Sequence, residues 1–135
     1  MMNILLDTHI ALWAIADSKK LSERCCYILQ DENHDIYVSI ASIWEVAIKN
    51  ILHPDEFSMS EFEYVKFCEL MNFNILPIKI EHIFTLRSLT RPKEAPKHND
   101  PFDRIMIAQA KYEKFSFLSH DSLLPFYNES CIISV

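Results

Sequence analysis

The chain has 135 residues, 50% of them in the hydrophobic set and 12% aromatic, which fits one domain with a buried core and excludes a disordered chain. It contains no glycine, where average usage gives roughly nine, so chemistries built on Gly-rich loops are excluded: the P-loop, the dinucleotide fingerprint and the G-x-S-x-G elbow. The net charge of −6 excludes a protein that simply coats nucleic acid, and approach to a phosphate then needs a local basic patch or a metal ion.

Ile4, Leu5 and Leu6 form an apolar run short enough for a buried strand, ending at Asp7. His9 to Ala16 reads as a helix. Leu21 to Asp31 reads as a second, capped by Ser18 or Ser22 and stopped at Asn33. Ile36, Tyr37 and Val38 are β-formers and make the second strand, and Ile40 to Leu52 is helical. Ser42 and Glu45 have capping-box spacing there, although Ser39 serves equally as the cap. His53-Pro54 ends this helix.

Ser60 and Glu63 open a further helix running to Met71, with Asn72 as a left-handed stop. Ile75 to Ile78 is the third strand, and Glu81 to Leu89 a helix. Arg91 to Pro101 is a loop, and Phe102 to Lys114 a strong helix. Phe115 to Ser119 is the fourth strand, His120 to Tyr127 a turn or short helix, and Cys131 to Val135 the last strand. Strands alternating with helices predict an α/β fold with a parallel sheet covered on both faces.

Cys25, Cys26, Cys68 and Cys131 match neither a disulfide framework nor a zinc pattern, and read as free thiols in a reducing cytosol. The N-terminus lacks the basic region of a secretory signal, and no apolar run is long enough to span a membrane. A cytoplasmic protein is expected.

In parallel sheets, ligands bind beyond the carboxyl ends of the strands. Asp7 follows the first strand directly, and Asp121 follows the fourth by two residues. Glu45 lies on the helix after the second strand, and Asp103 in the first turn of the helix that feeds the fourth. Glu45 and Asp103 each have an ordinary structural reading, as a capping-box partner and a helix-start acid. Asp121 has one as a turn residue. Asp7 does not, because a carboxylate at the end of a buried strand has to be paired, hydrogen-bonded or metal-bound. Crowded carboxylates raise each other's pKa, and a divalent cation removes that penalty. Hard oxygen ligands suit Mg²⁺ or Mn²⁺, which point to hydrolysis of a phosphodiester. The six His residues are scattered and suggest no zinc site, though His98 and His120 are within sequence reach of substrate. Arg87, Arg91, Lys93, Lys97 and His98 precede the acidic cluster and Arg104 follows Asp103, a local basic footprint for a phosphate backbone.

Leu5-Leu6-Asp7-Thr8-His9, the run Ser39 to Lys49 with its Trp44-Glu45 pair, and His98-Asn99-Asp100-Pro101-Phe102-Asp103-Arg104 leading to Ile107-Ala108-Gln109-Ala110 resemble the PIN-domain ribonucleases. In particular they are similar to the VapC-type toxins of bacterial toxin–antitoxin pairs. The resemblance runs along essentially the whole chain and implies a single PIN domain over 1–135, with three α/β/α layers. It implies a Mg²⁺-dependent endoribonuclease in which Asp7 and Asp103 are the principal metal ligands. Glu45 would bind directly or through water, and Asp121 would support the site from the rim. Thr8 or Ser119 would orient a ligand or water, with Asp100 in a loop or capping role. From the basic footprint beside the acidic cluster, and not from the resemblance, Arg91, Lys93, Lys97 and Arg104 are the candidates to hold substrate. The chain departs from the family at Ser119-His120-Asp121, where Thr and a small residue are more usual before the acid.

The resemblance further implies a cognate antitoxin and a homodimer. Phe62, Tyr64, Val65, Phe67 and Leu70 on one helix offer apolar surface for such contacts, or simply core. Two other readings are a phosphohydrolase using Asp7 as nucleophile and a non-catalytic binding module on the same fold. The first wants an acid at position 9, where this chain has His9. The second predicts damaged acidic positions, and all four are intact.

Overall fold

A computed structural model describes residues 2–135. Five strands, β1 (Asn3–Leu6), β2 (Asp35–Ser39), β3 (Asn74–Leu76), β4 (Ser116–Ser119) and β5 (Ile132–Ser134), form one sheet in the order β3-β2-β1-β4-β5, every pair parallel. Six α-helices connect them: α1 (Thr8–Ile15), α2 (Glu23–Gln30), α3 (Ile40–Leu52), α4 (Glu61–Leu70), α5 (Ile80–Thr85) and α6 (Pro101–Glu113).

The period-two geometry of a strand divides its side chains between two cores. Ile4 and Leu6 of β1 pack with Ile10, Ala11, Cys25, Val46, Tyr64 and Cys68 on one face. Leu5, between them, packs on the other with Met106, Ile107, Ala110 and Phe117. Both faces are covered, so the three-layer α/β/α architecture expected from the alternating pattern is present.

Several boundaries follow from local chemistry. Ser39 caps α3 by accepting from the Ala41 backbone N–H at 2.9 Å. The Ser42–Glu45 box therefore does not form, and both side chains are engaged elsewhere. The Ser60–Glu63 box does form, with reciprocal bonds of 3.1 and 3.2 Å. β3 stops at Leu76 rather than running to Ile78, because Pro77 cannot donate to a ladder. The helix expected over 81–89 is shorter, with α5 passing into a 3₁₀ turn at Leu86–Ser88. Asp17, Asn72 and Lys114 take the left-handed positions (φ 51°, 60° and 60°) that glycine fills in most chains. Phe62 and Leu70 on α4 are exposed and Tyr64 is buried. The four thiols are free. Among the described residues, no helix is long and apolar enough to cross a membrane.

Candidate active site

The sheet reverses its order at β1, whose neighbours are β2 and β4. The carboxyl ends of β1 and β4 stand side by side there, the position at which parallel sheets open a crevice. Asp7, Glu45, Asp103 and Asp121 line one cavity at this point, of about 250 Å³, together with His9, Trp13, Lys49, Asp100 and His120.

Asp7 is placed by strand register. Leu6 pairs with Leu118, so the next residues, Asp7 and Ser119, are neighbours. The Ser119 hydroxyl donates to Asp7 Oδ2 at 2.6 Å and accepts from the Asp121 backbone N–H at 3.0 Å. Asp121 Oδ1 accepts from the Leu123 N–H at 2.8 Å, a turn that holds the carboxylate at the rim. Burial pushes the Asp7 carboxyl above the usual range, and the Ser119 bond works against that rise.

Glu45 is held by a chain of hydroxyls. An ionised carboxylate only accepts, so Thr8 Oγ1 donates to Glu45 Oε1 at 2.6 Å. With its proton committed, Thr8 accepts from Ser42 at 2.8 Å, and Ser42 accepts from the Tyr64 hydroxyl at 2.7 Å. One helical turn along, the Lys49 ammonium meets Glu45 Oε2 at 2.6 Å. Burial opposes the Lys49 charge, but the bond and charge of Glu45, with Asp100 and Asp103 beyond, outweigh it and hold Lys49 above its ordinary value.

Asp103 sits in the first turn of α6. Asp100 caps that helix, accepting from the Phe102 and Asp103 N–H groups at 2.9 and 3.2 Å, and Pro101 follows at a position where no N–H is needed. Asp103 Oδ2 lies 3.0 Å from His98 Nε2, and His98 Nδ1 lies 2.8 Å from the Tyr127 hydroxyl. Arg104 donates to that hydroxyl at 3.0 Å. Burial, and then the charges of Asp7, Asp100, Glu45 and Asp121, push the Asp103 carboxyl up to about 8. Burial also holds His98 below its ordinary value, despite the nearby acids.

This donor set fits a divalent cation. A carboxylate oxygen of Asp103 and one of Asp121 lie within 4.8 Å of each other, with a His98 ring nitrogen as near to both. Among the described residues, Asp7 Oδ1, Asp103 Oδ1 and Asp121 Oδ2 have no protein hydrogen bond and remain available. Burial, with the repulsion of neighbouring acids, raises the proton affinity of Asp7 and Asp103, and a cation between them would relieve both.

All four acids selected from strand-end positions converge. The four cations do not line the cavity. Lys93 and Lys97 are exposed on the preceding loop. Arg91 bonds the Pro96 carbonyl, and the Arg91 and Arg104 guanidiniums stand 5.1 and 5.8 Å from the Tyr127 ring centre. The cation that lines the cavity is Lys49, whose signal was its i+4 spacing from Glu45. Tyr127 and Tyr64 carried no local signal.

The sequence matches the family model described as PIN domain over residues 4–126. No curated protein matches significantly. Among solved structures, the fold is similar to a chain of VapBC2 from Rickettsia felis, solved bound to a DNA fragment from its promoter. The identity is 15%, the TM-score 0.69, and 99% of this chain and 98% of that one are covered. A chain of a toxin–antitoxin complex from Klebsiella pneumoniae is similar at 15% identity and TM-score 0.60, covering 97% and 96%. A chain of FitAcB from Neisseria gonorrhoeae is similar at 22% identity and TM-score 0.51, covering 89% and 88%. On a family match that spans nearly all of its length, with the acidic residues gathered at the sheet's switch point, this chain belongs to the PIN domain family.

Proposed function

We propose that the chain is a Mg²⁺-dependent endoribonuclease that acts as the toxin of a toxin–antitoxin pair. The observation that carries this reading is the convergence of Asp7, Glu45, Asp103 and Asp121 in one cavity, with Asp103 pushed up to about 8 by burial and its acidic neighbours. In this reading Asp7, Asp103 and Asp121 bind the ion through their free oxygens, and Glu45 acts directly or through water. Mn²⁺ substitutes for Mg²⁺. A bound ion would neutralise phosphate oxygens and favour ionisation of an attacking water. Lys49 faces the scissile phosphate, and Arg91, Lys93, Lys97 and Arg104 bear on the RNA backbone beyond it. Single-stranded loops are the target class, because their bases are accessible.

The toxin role is supported by neighbours solved as toxin–antitoxin complexes. The partner is a cognate antitoxin that places an Arg in the acidic cleft, where its guanidinium pairs with a carboxylate. Exposed Trp44, Phe62 and Leu70 supply apolar surface for this partner and for a second copy of the chain. The free thiols agree with a cytoplasmic setting.

Purified protein should cleave RNA with Mg²⁺, lose that activity in EDTA and regain it when Mg²⁺ is returned. Full activity in excess EDTA would overturn the metal mechanism. Expression alone should arrest growth, Asp7→Asn should not, and co-expression of the small protein encoded beside it should restore growth and co-purify. Harmless high-level expression of the intact chain would overturn the toxin role.

A further inference from the structure

One edge of the cleft has its protons in an order that elementary chemistry determines. Arg104 can only donate, so the Tyr127 oxygen accepts its 3.0 Å bond. A carboxylate that ligates a cation is ionised, and an ionised carboxylate only accepts. The nitrogen 3.0 Å from Asp103 Oδ2 therefore carries the imidazole proton, and that nitrogen is His98 Nε2. A neutral imidazole has one N–H, so Nδ1 is bare and accepts from the Tyr127 hydroxyl at 2.8 Å. His98 and Tyr127 are 6% and 4% exposed, which leaves bulk water little access to these bonds. Their rings meet edge to face at 88°, and the two guanidiniums pack against the phenol. Tyr127 is thus held on three sides.

We propose that Arg104, Tyr127 and His98 form a directed hydrogen-bond chain that holds Asp103 in the orientation in which it ligates a divalent cation. His98 and Tyr127 are positioning residues, and His98 is not itself a ligand: its Nε2 proton points at Asp103 and leaves no lone pair for a metal. Arg104 anchors the far end of the chain. What Asp103 is positioned to do rests on the metal reading given above. The order of the protons rests on it only through the ionised state of Asp103, and it can be read without RNA.

The first test is nitrogen NMR of the full chain with ¹⁵N-labelled histidine. Spectra are taken with Mg²⁺, and without metal well above the Asp103 pKa. The expected result is a His98 Nε2–H tautomer in both, unchanged in form by Mg²⁺. An Nδ1–H tautomer, or loss of the Nε2 proton when Mg²⁺ is added, would overturn the chain and favour His98 as a ligand.

The second test uses Tyr127→Phe, which keeps the ring and deletes the bond. Mg²⁺ affinity measured by calorimetry should fall about 10- to 100-fold, the range for partners that orient a metal ligand. The kcat for RNA cleavage should fall with it while KM stays near wild type. Unchanged Mg²⁺ affinity in a folded variant would overturn the proposal.

If Tyr127→Phe does not fold, His98→Gln and His98→Leu decide. Gln retains an N–H donor for Asp103 and should keep more Mg²⁺ affinity than Leu. Equal affinity would reduce His98 to packing and overturn the proposal. A wild-type protein that shows the expected tautomer and binds Mg²⁺ yet cleaves no RNA would sink the nuclease reading and leave the chain standing. RNA cleavage with the wrong tautomer would do the reverse.

Discussion

The two flanks of the cleft hold their carboxylates by different chemistry. On the α3 flank, Tyr64, Ser42 and Thr8 pass hydrogen bonds to Glu45 through neutral hydroxyls, and Lys49 supplies a cation 2.6 Å from the same carboxylate. On the α6 flank, the bonds start at the Arg104 guanidinium, pass through a phenol and an imidazole, and end at Asp103. Among the described residues, no lysine or arginine pairs with Asp103. The charge imbalance of the cleft therefore lies on the α6 flank and on Asp7 between the two. The α3 flank is neutralised within the fold, whereas the α6 flank has an acid raised to about 8 and no cationic side chain paired with it.

The largest effect is expected from Asp103→Asn, which removes the α6 flank's share of the imbalance and the ligand together. RNA cleavage should drop by more than the about 100-fold that losing a supporting residue costs. Stability should move the other way. An acid whose folded pKa exceeds its unfolded value binds more protons when folded, so its contribution falls as pH rises from the ordinary 3.8 to about 8. One proton limits that slope to about 1.4 kcal/mol per pH unit. Urea unfolding of metal-free wild type and Asp103→Asn across this range should show the variant gaining on the wild type as pH rises. Saturating Mg²⁺ should flatten the wild-type curve. Parallel curves without metal would show that the imbalance does not sit on Asp103.

Lys49→Met tests the other flank and should have an intermediate effect. It turns a neutralised carboxylate into an uncompensated one, so the metal-free protein should melt lower. The rise in melting temperature on adding Mg²⁺ should exceed that of the wild type, because the ion then relieves Glu45 as well as Asp103. A Mg²⁺-induced rise no larger than wild type would mean that Lys49 and the ion do not share Glu45. The α3 flank would then be independent of the metal.

Strand-end position made the acids legible. Asp7 and Asp121 follow strands whose apolar runs are plain in the sequence, and Asp103 falls just inside a helix opened by Asp100 and Pro101. What holds the acids was less legible, because it comes from elements far away along the chain. Tyr64 lies in an apolar stretch of α4, and its reading as core is correct for the ring and silent about the hydroxyl that reaches Ser42 across 22 positions. Tyr127 reaches His98 across 29 positions from an irregular segment after β4. Neither hydroxyl leaves a periodic or spacing signal, since each is placed by packing of whole layers. The Ser42–Glu45 capping box failed for the same reason. Local spacing allowed it, but Thr8 from β1's exit and Tyr64 from α4 claimed both side chains.

The smallest effect is expected from Tyr64→Phe, and its size relative to Tyr127→Phe decides whether the two flanks differ in kind. Deleting the Tyr64 hydroxyl costs one buried bond, about 1 kcal/mol, and should lower the melting temperature by a few degrees. Glu45 should hardly notice. A hydroxyl rotates, and Thr8 keeps donating to the carboxylate whatever happens two links away, because the carboxylate is its best acceptor. An ionised Asp103 still draws the His98 Nε2 proton, but the imidazole is a rigid ring held at its other nitrogen by Tyr127, so its aim at Asp103 loosens when that bond is deleted. Activity of Tyr64→Phe below its melting range should therefore stay within about twofold of wild type, while Tyr127→Phe loses far more with a comparable change in stability. Melting curves and single-turnover cleavage on both variants measure the contrast. Equal losses of activity would show that a chain of hydroxyls is as sensitive at its far end as one that contains a histidine, and the distinction between the flanks would be one of charge alone.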